Sequence, residues 1–96
     1  MEVILPLSAQ QKKNLKIRAH HLKPVVRIGH QGLTQGVIDE TVACLDRHEL
    51  IKIHIHEGKR EERQAMAEKL ARSTGAELIH QIGKVFILYR QRQEQE

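Results

Sequence analysis

Apolar and polar positions along this chain follow two periods, and the switches between them mark seven elements. Leu15, Ala19 and Leu22 recur at i, i+4 and i+7, the spacing of a helix that buries one stripe. Ser8-Ala9-Gln10-Gln11 ahead of them has the S-x-x-Q form of a capping box. Pro24 predicts the end of that helix, because the residue before a proline is pushed out of helical conformation. Val25 to Ile28 reads as a short β-branched strand with Val26 and Ile28 on one face. Gly29-His30-Gln31-Gly32 forms a tight loop, and Thr34 is placed to cap a second helix. That helix would bury Ile38, Val42 and Leu45, with Asp39 and Glu40 early, where the helix dipole favours acids.

The clearest strand is Leu50 to His56, where Ile51, Ile53 and Ile55 alternate with Lys52, His54 and His56. Glu57-Gly58 breaks it. A third helix follows to about Thr74, burying Met66, Ala67, Leu70 and Ala71, with Gly75 as its C-terminal cap. Leu78 to Ile82 and Val85 to Arg90 flank Gly83-Lys84, which reads as a two-residue hairpin turn. The order α-β-α-β-α-β-β predicts an α/β fold, a mixed four-stranded sheet with helices packed on one or both faces. No repeat or linker interrupts it. Residues 1–96 therefore make a single domain with a core over about 7–90 and a polar tail at 91–96.

Composition narrows the picture. With 40% hydrophobic and 29% charged residues the balance is that of a globular chain, not a disordered one. The one cysteine, Cys44, has no partner for an internal disulfide, which suits a reducing compartment. No apolar run approaches the roughly 18–20 residues of a membrane span. Met1 to Leu7 is too short for a signal peptide and carries Glu2 in place of a basic start. These readings predict a cytoplasmic protein with no membrane partner.

Net charge is +4, and its distribution is uneven. Residues 1–27 hold Lys12, Lys13, Lys16, Arg18, Lys23 and Arg27 against Glu2 alone, a net +5. Residues 28–58 are net −3 and residues 59–96 net +2. A basic N-terminal third predicts a polyanionic partner. On a helical projection Lys12, Lys16, His20 and Lys23 fall within about 80° of one another, a basic ridge beside the buried stripe. Phe86 and Tyr89 are the only aromatic residues besides histidine, too few for a base-stacking platform, so a nucleic-acid grip must use backbone amides and cations.

The Gly29–Gly32 loop supplies such amides. It joins a strand to a helix N-terminus, whose unpaired N–H groups and positive dipole end attract phosphate. A GxxG loop clamping a nucleic-acid backbone is the device of KH domains, although the same tetrapeptide also makes ordinary tight turns. Seven histidines raise the question of a metal, but no Cys pair, HExxH or facing carboxylate completes a site, and no metal or other cofactor is expected. His54 and His56 share a strand face and read as surface histidines near RNA; His80 reads as a plain strand residue. Cys44 reads as a buried, inert thiol, Ser73-Thr74 as helix-end capping and Tyr89 as a half-buried sheet aromatic. Lys84 and Arg90 could widen the basic surface, and Lys59-Arg60-Glu61-Glu62-Arg63 reads as a solvated helix start with local ion pairs. No nucleophile with an oriented base can be assembled, so no catalytic residue is expected.

A longer pattern is more specific than any of these. Leu7-Ser8, Gln11-Lys12, Leu15, Ala19-His20 and Leu22-Lys23-Pro24-Val25-Val26 open it. Gly29-x-x-Gly32-Leu33-Thr34-x-Gly36-Val37 and His48-Glu49-Leu50-Ile51-Lys52-Ile53 continue it. Gln81-Ile82-Gly83-Lys84 with Leu88-Tyr89-Arg90 closes it. Over about residues 7–90 the chain resembles the CRM-domain, YhbY-like bacterial ribosome-assembly proteins. The resemblance implies a fold similar to the C-terminal domain of the third bacterial translation initiation factor. It also implies binding to RNA, ribosomal RNA in precursors of the large subunit, with no DNA partner expected, and a part in ribosome maturation. Carried over by position, the RNA-binding loop is Gly29, His30, Gln31 and Gly32, supported by Lys12, Lys16 and Lys23 on helix one, with Arg27 added to the cationic set. The loop's central pair, His30-Gln31, holds no permanent cation, which shifts the burden to amides and lysines. The alternative is an adaptor that docks on a ribosomal protein through the helix-one face without touching RNA.

Overall fold

Seven elements form where the two periods place them. The computed structural model describes residues 7–92. The expectations for Met1 to Pro6 and for the tail at 93–96 lie outside those residues. Helix α1 is Ala9–Ala19, β1 Pro24–Ile28, α2 Gln35–His48, β2 Leu50–Ile55, α3 Arg60–Thr74, β3 Glu77–Ile82 and β4 Val85–Tyr89. The sheet is mixed, in the order β1-β2-β4-β3: β1 and β2 are parallel, and β4 runs antiparallel to both β2 and β3.

The capping box at α1 is complete. Ser8 Oγ accepts from Gln11 N at 3.1 Å and Gln11 Oε1 accepts from Ser8 N at 2.8 Å, so two orphan donors are satisfied at once. Thr34 caps α2 by accepting from Val37 N at 3.1 Å, and Gly75 closes α3 in the left-handed region. At the β3–β4 turn Ile82 pairs with Val85, leaving Gly83 and Lys84 as the two-residue loop.

Alternation along β2 sends its side chains to two separate cores. Ile51, Ile53 and Ile55 join Val26, Ile28, Phe86 and Leu88 beneath α2 and α3, which contribute Leu45, Ala67, Leu70 and Ala71. Leu50 goes the other way, with Ile79 and Ile87, against Leu15 and Ala19 of α1. Strand β4 is central and meets helices on both faces, so Phe86, Ile87 and Leu88 are buried in succession. Each fully buried Ile or Phe contributes about 1.5–3 kcal/mol relative to exposure.

Four expectations are corrected. Helix α1 stops at Ala19, with bonds from His20 N to Ile17 O and Leu22 N to Ala19 O tightening the exit. Pro24 already pairs with Lys52 in the sheet, so the chain must leave the helix early enough to reverse direction. Leu22 is consequently exposed, and Lys23 and His20 are not helical residues of a ridge. In α2 the buried stripe is Thr41 and Leu45, with Val37, Ile38 and Cys44 packed half-buried, and Val42 is turned partly outward. Thr41 tolerates this because its hydroxyl donates to Val37 O at 2.8 Å. Asp39 and Glu40 lie beyond the first turn of that helix. Arg63 is not in a solvated ion pair: it is half-buried, and its guanidinium donates to Gly58 O at 2.6 Å.

Candidate nucleic-acid interface

Gly32 and Gly29 play different parts in the loop. Gly32 has φ +69°, a conformation that disfavours any residue with a Cβ, and Met66 of α3 packs beneath it. Its N–H donates to Gly29 O at 3.1 Å and its carbonyl accepts from Thr34 N at 3.1 Å, so one residue sets both the turn and the entry to α2. Gly29 has no such constraint. Its φ is not positive, and a Cβ built on it meets nothing within 4 Å. The space around it is open to solvent. Among the described residues, no protein acceptor is paired with the backbone amides of His30, Gln31, Gln35 or Gly36. Donors therefore cluster beside an open glycine at the positive end of a 14-residue helix.

Three turns meet at this end of the sheet. His56 N donates to Ile28 O and Ile55 N to Lys84 O, both at 2.9 Å. His30 Nδ1 lies 3.3 Å from Glu57 Oε2, with both side chains largely exposed. The loop, the β2–α3 turn and the β3–β4 hairpin tip are therefore neighbours.

The cations divide into two groups. Arg27 pairs with His54 across β1 and β2, and His54 with Val85 across β2 and β4, so their side chains share the α1-side face near the loop. His56 stands beside His54, with Nδ1 of His54 and Nε2 of His56 at 2.9 Å, and Lys84 is exposed at the hairpin tip. The protonated form of His54 is disfavoured, first by partial burial and then by His56, Arg27 and Lys84, which pulls its pKa below the ordinary 6.5. Lys12 and Lys16 stand elsewhere. Helix α1 packs Leu15 and Ala19 on Leu50, Ile79 and Ile87, while the loop lies past Ile55. The contact nearest the loop in register, Ile87 opposite Lys52, lies three residues before Ile55, roughly 10 Å along the strand. Lys23 is exposed in the turn that leads into β1. Of the residues expected to act together, then, Gly29 to Gly32 and Arg27 come to one end, and Lys12 and Lys16 belong to a second surface.

Arg90 is not part of any basic surface. It is turned inward, donating to Thr74 O at 2.8 Å and to Asp46, and thereby ties β4 to the ends of α2 and α3. Tyr89 is half-buried against the α1-side core. The Cys44 thiol is pushed up in pKa by burial first and by Glu40 next, with Arg47 opposing, and so is poorly nucleophilic. Among the described residues no group of three or more His, Cys, Asp or Glu is arranged to hold a metal, and no helix is long and apolar enough to cross a membrane. The sequence places His54 and His56 together on one strand face by their i, i+2 spacing. Their link to Arg27 and Lys84 depends on strand order.

Fold and loop together define a class: a small α/β domain whose unpaired amides project from a strand–GxxG–helix junction beside a basic sheet end. The family model described as the CRS1 / YhbY (CRM) domain matches residues 7–90, and the chain belongs to that family. It is similar to an RNA-binding protein of Haemophilus influenzae, 43% identical over 88 residues, covering 92% of this chain and 89% of that one. A relative from Pseudomonas aeruginosa, named a probable RNA-binding protein, is 38% identical over 86 residues and covers 90% and 83%. The solution structure of a hypothetical protein from Staphylococcus aureus matches with a TM-score of 0.81 at 31% identity, over 95% of both chains.

Proposed function

We propose that this protein is a non-catalytic RNA-binding factor of the cytoplasm that engages ribosomal RNA in large-subunit precursors and assists their maturation. The loop Gly29 to Gly32 accepts a phosphate at its free amides. Arg27 stands on the neighbouring sheet face, and Lys12, Lys16 and Lys23 meet the same RNA further along. The observation that carries this reading is Gly29: neither its φ nor its surroundings require glycine, yet it borders a cluster of unpaired donors. The RNA-binding names of the relatives point the same way.

The direct test is Gly29→Asp, compared with Gly29→Ala, in binding to a fragment of large-subunit ribosomal RNA at fixed salt. The aspartate places a negative charge in the phosphate path without disturbing packing. Losing one charge-assisted bond, about 1.5–3 kcal/mol, predicts roughly 10- to 100-fold weaker binding. Unchanged affinity in Gly29→Asp would remove the loop from the mechanism. A second reading, docking on a ribosomal protein through α1, draws on Ile17, which is 62% exposed. Under that reading Ile17→Ser abolishes association with the large-subunit precursor while Gly29→Asp leaves it intact. Sedimentation of the tagged variants with ribosomal particles separates the two.

A further inference from the structure

The face of the sheet that α1 leaves open carries charge beyond the Arg27 on which the loop mechanism already draws. Arg27 comes from β1, His54 and His56 from the end of β2, and Lys84 from the β3–β4 turn. Lys52 lies on the same face one step behind His54. The charges acting on His54 come from Arg27, Lys84 and His56, and no carboxylate is among them; α1, over the other end of the face, contributes none. The acid closest by sequence, Glu57, is engaged by His30 on the loop side. Ile82, 58% exposed, pairs with Val85 and offers an apolar shoulder beside the cations.

The two imidazoles are set for a second role. A 2.9 Å contact between Nδ1 of His54 and Nε2 of His56 needs one N–H and one lone pair. Two imidazoliums cannot keep that bond, because both ring nitrogens are then donors facing one another. An anion between them resolves the conflict by accepting from both.

We propose that Arg27, His54, His56 and Lys84 form a second phosphate-binding surface, which takes the RNA backbone next to the loop and is fully charged only when both histidines are protonated. This rests on the proposed RNA grip at Gly29 to Gly32 and extends it across the sheet end. The occupant is an RNA strand because the surface is cationic, open along the sheet and continuous with the loop through the His56 N to Ile28 O contact. A phosphate seated there stabilises the imidazoliums, so binding takes up protons. Affinity then rises as pH falls through the histidine range, because only the imidazolium forms carry charge to meet the phosphates.

The experiment is RNA binding by the full chain at pH 8.0 and pH 5.5, each over a salt series, for the wild type, for His54→Gln with His56→Gln, and for Lys84→Gln. The wild type should bind more tightly at the lower pH, with a log–log salt slope steeper by about 0.7 for each histidine that becomes a phosphate contact. In the double variant the ratio of affinities at the two pH values should fall towards one. Other histidines, His30 included, remain in that variant, so the difference isolates the pair. Lys84→Gln, at an exposed tip, should lower the slope by about 0.7 at both pH values. A double variant with the wild-type pH ratio, or a Lys84 variant with the wild-type slope, overturns the sheet surface even where Gly29→Asp still weakens binding. No RNA binding by the wild type at either pH overturns the loop reading and this one together.

Discussion

Gly29 and Gly32 are three positions apart and identical in chemistry, yet the chain needs only one of them to fold. Replacing Gly32 by alanine forces a Cβ into left-handed backbone, at a cost of about 1–2 kcal/mol. Gly29→Ala meets no neighbour and should change stability by less than about 0.5 kcal/mol. Chemical denaturation of the two variants checks the contrast, and equal losses would show that Gly29 is structural after all. A Gly32→Asp change therefore confounds binding with folding, and Gly29 is the position where function can be probed alone. The tetrapeptide was legible in the sequence, but this division within it was not, because a glycine's φ is set by the turn it closes. Thr41 illustrates the same limit. It reads as polar in a helical pattern, and only its bond to Val37 O makes it fit a fully buried position in place of Val42.

Among the elements, the places where the pattern misled are those where a neighbouring element decided the outcome. Pro24 marks the latest residue at which α1 could end, while the sheet pairing of Pro24 with Lys52 fixes how soon it must. That difference removed Lys23 and His20 from the helix. By contrast β2, α3 and the hairpin were readable because alternation, a left-handed glycine cap and a two-residue turn are local signals. Arg90 shows what is lost without tertiary context. A terminal arginine after a strand looks solvated, yet it spans from β4 to Thr74 O and Asp46. Arg90→Ala leaves that carbonyl and carboxylate without their donor, a loss of about 1–3 kcal/mol. In a domain of this size each kcal/mol lowers Tm by about 4–8 °C. A melting curve indistinguishable from wild type would mean that solvent replaces the clamp without loss.

At the scale of the molecule, charge is arranged in two surfaces. One is the loop with Arg27, the histidine pair and Lys84; the other is α1 with Lys12 and Lys16. Charge asymmetry along the sequence identified the basic N-terminal third but merged the two, since strand order β1-β2-β4-β3 is what brings Arg27 to Lys84 and leaves α1 over the other end. An RNA long enough to touch both surfaces should show a salt slope that drops by about 1.4 in the Lys12→Gln, Lys16→Gln variant, at about 0.7 per phosphate. A short oligonucleotide should show no such drop if it occupies the loop end alone. A drop of equal size with both RNAs would mean that the lysines and the loop act as one site.

The position of β4 also bears on how the protein is made. It is the last strand in chain order, yet it lies between β2 and β3 and supplies Phe86 and Leu88 to one core and Ile87 to the other. A nascent chain that has emerged only through β3 can pair β1 with β2, but β3 has no strand to join until β4 follows it. Both cores therefore stay incomplete until β4 is available, and the domain completes its fold late, once Tyr89 has left the ribosome.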